Sequence, residues 1–250
     1  MNRLAILFTA TALSACSSPG GPPKAAADAS LHSRMLVLDT HLDTPLHFDR
    51  QGWNFADRHA LATDLSQLDI PRMKDGNLDG GFFAIYTDQG PLTAVGYAAA
   101  LAHARKRSDA VDRMIADNGG VIGAARTAED ARRLTREGRL IAFKSIENSY
   151  PLGEDLSLLQ EFYDKGVRLA GPVHGANNQF ADSATDKPRW NGLSPLGKQW
   201  VAEMNRLGII IDVAHSGWQT CIDAALASAQ PIIASHTAIW ELNPHCRCKP

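Results

Sequence analysis

The stretch Ser194–His215, SPLGKQWVAEMNRLGIIIDVAH, holds one whole repeat of the fold. Ser194 and Pro195 give an N-cap and a first-position proline. Trp200, Val201, Met204 and Leu207 then fall on one helical face, and Gly208 stops the helix. The apolar run Ile209–Val213 follows at once and reads as a strand buried on both faces. It runs straight into Ala214-His215, so a reactive side chain stands at the strand's C-terminal end.

The same alternation extends in both directions. Apolar runs recur at Met35–Leu38, Gly81–Tyr86, Leu140–Ile146, Val167–Val173 and Pro231–Ala234, which with Ile209–Val213 makes six candidate strands. Helical patterns lie between them. One carries Ala98, Leu101 and Ala102 on to Val111, Met114 and Ile115; another has Leu158, Leu159, Phe162 and Tyr163 before Gly166; a third has Cys221, Ile222, Ala225 and Leu226. Repeated βα units predict an α/β protein, either a doubly wound sheet or a β/α barrel. No G-x-G-x-x-G follows the first strand, which weakens the dinucleotide-binding alternative. Reactive residues gathered at strand C-termini favour the barrel.

Composition sets the outer bounds. The chain has 250 residues, 44% hydrophobic and 21% charged, which is ordinary globular composition. Lys+Arg 25 against Asp+Glu 27 gives a formal charge of −2, so no basic excess points to nucleic acid. No internal run reaches the ~18 apolar residues of a membrane span. Residues 1–15 have a positive start at Arg3 and a short apolar stretch, the pattern of a signal peptide. Leu13-Ser14-Ala15-Cys16 resembles a bacterial lipobox, with Cys16 as the lipidated residue. Residues 16–30 then read as a lipidated cysteine on a flexible tether, and 31–250 as the exported domain. Cys221, Cys246 and Cys248 remain in that domain, an odd number with no basis for choosing a pair.

The strand ends carry the chemistry. His41 and Asp43 are two apart, so in extended geometry they point to the same side and can share a cation. Glu147 closes an apolar strand, where a carboxylate is costly to bury unless it meets a cation or donors. His174, His215 and His236 follow three further strands. One such histidine is most simply a satisfied loop residue; five of six strands ending in His or Glu at one edge of the fold point to a metal centre. His32, His47, His59, His103 and His245 lack this placement and read as surface or packing residues.

The run LDTHLDTP (38–45), SIEN (145–148), Val173–Asn178 leading to Phe180–Ser183, the stretch 191–217 and IIASHTA (232–238) together resemble the membrane dipeptidase family of zinc peptidases, within the amidohydrolase superfamily. The resemblance covers residues 34–250 with its motifs in order. It implies a (β/α)8 TIM-type barrel and a pair of zinc ions. His41 and Asp43 match the ligands of one ion, Glu147 the carboxylate bridging both, and His215 and His236 the ligands of the other. His174 matches a non-ligand histidine at the scissile carbonyl, and Arg247 an arginine holding the substrate's terminal carboxylate. The implied activity is hydrolysis of dipeptides through a metal-bridging hydroxide. An N-acyl amino acid deacylase, or a catalytically dead lipoprotein that binds metal or a small ligand, are the alternatives; homo-oligomerisation stays open.

The pattern departs from the family in extent. Six strands fit within the chain where a full barrel has eight. The family's eighth-strand aspartate and a seventh-strand substrate contact have no match. Exposed sheet edges favour aggregation, so the expectation is a C-terminally truncated barrel of about six βα units that alone is poorly soluble and at most weakly active. The expected location is the bacterial envelope, lipid-anchored at the outer membrane and facing the periplasm, because Ser17 is not an acidic retention residue. Cys16→Ala is expected to abolish metabolic lipid labelling and to release the protein from the membrane fraction; labelling that persists would show the lipobox to be misread.

Overall fold

A computed structural model describes residues 31–248; the signal peptide, Cys16 and the tether lie outside the described residues. Residues from Leu36 onward make up the body that carries the sheet. Its strands are β1 (Leu38–Leu42), β2 (Gly80–Tyr86), β3 (Ile122–Ala124), β4 (Leu140–Glu147), β5 (Val167–Ala170) and β6 (Ile210–Ile211). All pair in parallel, in the order β1-β2-β4-β5-β6, with β3 also pairing β4. One long edge of β4 faces β2. On its other side β3 pairs with the first half of β4 and β5 with the second.

The six strands differ from the six expected. Pro231–Ala234 forms a single bridge, Asp212 to Ile233, rather than a strand. Pro231 has no N–H to give to a ladder, so pairing reduces to the two hydrogen bonds around Ile233. The extra strand, β3, is three residues long and too short to show a period. β1 starts at Leu38, where the apolar run from Met35 ends, and pairs with β2 through Leu38, Asp39 and Leu42, with a register shift between the last two.

The sheet curls. A flat arrangement would put β1 and the Ile233 segment five strand spacings apart, about 24 Å at ~4.8 Å each. Instead the Thr40 hydroxyl donates to the Ser235 carbonyl at 2.6 Å. The result is a parallel half-barrel with distinct faces. On the concave face β2 and β4 present paired layers: Phe82 stacks on Phe143 at 4.8 Å, Ala84 pairs with Ser145, and Tyr86 with Glu147. The helix Ala128–Arg136 packs Ala131 and Leu134 against Ile141 and Phe143. On the convex face the helix Ala94–Asp117 sets Val111 and Met114 against Phe83 and Ala142. Lys144 points the same way, and its ammonium meets Asp112 at 2.6 Å and Ser108 at 3.1 Å.

All eight residues of β4 are buried, which suits the central strand of a sheet covered on both faces. The helix Pro195–Leu207 forms as its sequence dictates. The Ser194 hydroxyl accepts the Gly197 N–H at 2.9 Å, and Gly208 ends the helix at φ 75°. Trp200, Val201 and Met204 then sit in the largest core cluster, with Phe162, Phe180 and Ile211.

Gly197 is the tightest point of that packing. A Cβ there would lie 2.0 Å from the Phe180 carbonyl oxygen, a backbone atom that no rotamer change can move. Alanine is better than glycine in a helix by about 1 kcal/mol. Overpacking costs about 1–3 kcal/mol, and here the obstacle is rigid. Gly197→Ala is therefore expected to lower the urea midpoint, against the propensity rule; a rise would overturn the packing argument.

Candidate metal centre

The chain delivers its reactive groups from the C-terminal ends of the strands. Glu147 is the last residue of β4, His41 lies in β1, His174 follows β5, His215 follows β6, and His236 follows the Ile233 bridge. Glu147 is at the centre, its side chain only 8% exposed. Its Oε2 faces His41 Nε2 at 3.4 Å. Its Oε1 faces the Nε2 atoms of His215, His236 and His174 at 3.0, 3.5 and 3.7 Å. The two triads His41–Glu147–His236 and Glu147–His174–His215 are each compact enough to hold a metal ion. His215 and His236 join them, with their Nε2 atoms 2.8 Å apart.

Local backbone makes this convergence feasible. Asn148 and His215 both adopt the left-handed region, at φ 68° and 66°. The chain therefore turns sharply just after Glu147 and at His215 itself. Asn148 is a tolerant residue there, and its side chain donates to the Thr87 carbonyl and accepts from Tyr150 and Asn178. His215, another residue type enriched in that region, is held there by its surroundings. The carbonyl of His215 accepts the Ala184 N–H at 2.8 Å.

Electrostatics follow from burial and proximity. Burial works against a charge on His41, but the Asp43 and Glu147 carboxylates outweigh it and push the imidazole up to about 10. Burial brings His215 down to about 4, despite its contact with Glu147. Burial also lowers His174. Burial would raise Glu147, yet the imidazoles of His215, His236 and His41 around it hold it well below the usual carboxylate range. The centre thus favours positive charge at one edge and keeps neutral imidazoles at another.

A second layer orients His236. The Ser235 hydroxyl donates to Asp212 Oδ2 at 2.5 Å. With its one proton spent there, it can only accept at His236 Nδ1, 2.9 Å away. Nδ1 therefore carries the proton, and the Nε2 lone pair points into the site. Asp212 also accepts the backbone N–H groups of Ala214 and Ser235, which ties the two histidine-bearing turns together. Sequence reasoning passes over Asp212 and Ser235. The signal was available for Asp212, an acid inside the apolar run IIIDV, by the logic applied to Glu147.

Nitrogen lone pairs converging on one carboxylate are a donor set that fits a borderline divalent cation such as zinc. Asp43 stands at the rim, its Oδ1 3.3 Å from His41 Nε2 and its side chain 64% exposed. Arg247 is half-buried and near enough to His174 and His215 to lower both imidazoles. Its Nη1 is buried without a hydrogen-bond partner. Of the histidines assigned to packing, His59 stacks on Trp53 at 4.6 Å and binds Asp64, and His47 stacks on the same indole.

The class defined by this fold and this site is a parallel α/β half-barrel with a candidate metal centre at its strand C-termini. Residues 25–249 match the family described as membrane dipeptidase (peptidase family M19), and the chain belongs to that family. It is 32% identical over 221 residues to the dipeptidase tcpJ of Claviceps purpurea, covering 85% of this chain and 52% of that protein. Its structure is similar to the probable dipeptidase PvdM from Pseudomonas aeruginosa, with TM-score 0.81 and 34% identity, over 90% of this chain and 57% of that one. It is also similar to a metallopeptidase from Rhodobacter sphaeroides liganded with a phosphinate mimic of L-Ala-D-Ala, with TM-score 0.72 and 26% identity, over 86% and 68% of the two chains. The chain spans about half the length of the curated relatives it matches.

The tautomer argument predicts an effect on metal affinity. Loss of a partner behind a ligating histidine typically costs 10–100-fold in metal binding. Ser235→Ala is expected to weaken zinc binding by about that factor in a competition titration with a chromophoric chelator. Unchanged affinity would show that Ser235 does not set the ring.

Proposed function

We propose that the protein is a zinc-dependent dipeptidase with two ions at one site. The observation that carries this reading is the division of Glu147 between its neighbours. Oε1 faces His215 and His236, and Oε2 faces His41, which touches Asp43. One ion would take His41 and Asp43, the other His215 and His236, with Glu147 shared. Such a pair, when bound, supplies Lewis acidity and a nucleophile at neutral pH.

The chain's own residues do the rest. Glu147 would offset the repulsion between two cations held by these residues. His174 is a third of the way exposed and, although close enough to Glu147 and His215 to form a ligand triad, is given on this reading to the substrate rather than to an ion. As a neutral imidazole it donates one N–H to the oxygen on which charge develops. Arg247, with a buried N–H group free, receives the terminal carboxylate of a short peptide. A lipid on Cys16 would hold the domain at the envelope membrane, facing the periplasm.

Full-length protein purified with zinc is expected to hydrolyse a panel of dipeptides, to lose activity to a chelator and to regain it on zinc addition. Arg247→Met is expected to raise KM at least about tenfold, since a charged hydrogen bond contributes about 1.5–3 kcal/mol. Amino acid release from N-acyl amino acids but not from dipeptides, or activity indifferent to the chelator, would overturn the reading.

A further inference from the structure

His174 is the one imidazole of the cluster that no hydrogen bond orients. Among the described residues its ring has only the 3.7 Å approach to Glu147, beyond hydrogen-bond reach. Two ring contacts hold it instead. The His215 ring lies against it at a tilt, with centroids 4.0 Å apart and planes at 37°. Tyr86 meets it as well, with centroids 4.9 Å apart and planes at 64°, an edge-to-face arrangement.

Tyr86 is itself fixed at both ends. It is the last residue of β2 and stands in register with Glu147. Its hydroxyl donates to Asp88 Oδ1 at 2.5 Å. Neither contact is needed to bury the ring, which remains partly exposed in the concave face. A tyrosine at this point is therefore better suited to aiming its neighbour than to filling a core.

We propose that Tyr86 is the positioning residue for His174. Its ring, seated beside Glu147 and tethered to Asp88, fixes the plane in which His174 meets the substrate. This rests on the role given above to His174. In this role Tyr86 acts through His174 rather than on the substrate, so its removal leaves binding intact and misaligns one donor in the transition state. Loss of such a donor lowers kcat and leaves KM nearly unchanged.

The test uses three variants of the full-length zinc protein: Tyr86→Phe, Tyr86→Leu and Tyr86→Ala. Metal content and thermal midpoint establish that each is folded and loaded. Tyr86→Leu and Tyr86→Ala are expected to lower kcat by about 10- to 100-fold, the scale of an ångström of misplacement, with KM within about threefold. Tyr86→Phe, which keeps the ring, is expected to restore most of kcat. In protein labelled at histidine, the His174 ring signal, assigned through His174→Gln, is expected to shift in the leucine and alanine variants and to stay close to wild type in the phenylalanine variant. Leucine equal to wild type in kcat, or a change in KM alone, would overturn the proposal while leaving the dipeptidase reading intact. An unmoved His174 signal in Tyr86→Ala would overturn it as well. Absent dipeptide turnover in wild type, with the His174 signal moving as expected, would overturn the activity and leave the positioning role standing.

Discussion

A carboxylate at the end of a buried strand is the constraint around which this structure is arranged. An ion removed from water without partners costs many kcal/mol, and one removed with a single partner still carries a large penalty. Glu147 meets that cost with four imidazoles, from β1 and from the turns after β5, β6 and the Ile233 bridge. No local segment could supply them. The sheet must curl until its two ends meet over the same carboxylate, and the Thr40–Ser235 hydrogen bond is the trace of that closure.

The two faces of the half-barrel divide the labour. The convex face is apolar apart from Lys144 and carries the packing, with Phe83, Ile85, Ala142 and Ile146 under helices. The concave face grades from Phe82 and Phe143, near the helix Ala128–Arg136, to Tyr86 and Glu147 at the strand ends. Period-two alternation makes both possible within one strand. Around the centre, rigidity comes from short polar devices: Asp212 bracing Ser235, Ser235 fixing His236, and Asn148 closing the turn behind Glu147. Their common effect is to point lone pairs inward, which is what a metal centre needs from its supporting residues.

Kinship with the membrane dipeptidases and this geometry support each other without being the same kind of argument. Family membership rests on sequence along residues 25–249. The site stands on distances. Those distances put the candidate centre at the C-terminal ends of parallel strands, where β/α architectures carry their chemistry.

The sequence by itself determined the class of fold and most of the reactive residues. Apolar runs such as LIAFKSIE and capped helices such as SPLGKQWVAEMNRL are local signals, set by burial periodicity and by backbone groups that need capping. His41, Glu147, His174, His215 and His236 were legible because polar residues closing apolar runs are conspicuous, and Arg247 because its segment resembles the family's. What the sequence could not show is anything that depends on residues far apart in the chain. Strand β3 is too short to have a period, and Pro231–Ala234 looked like a strand although its proline leaves only one bridge. The division of Glu147 between its oxygens, the tautomer of His236 and the ring contact of Tyr86 on His174 exist only once the sheet has curled. Each is a matter of direction and distance between residues tens of positions apart, and only tertiary packing fixes those.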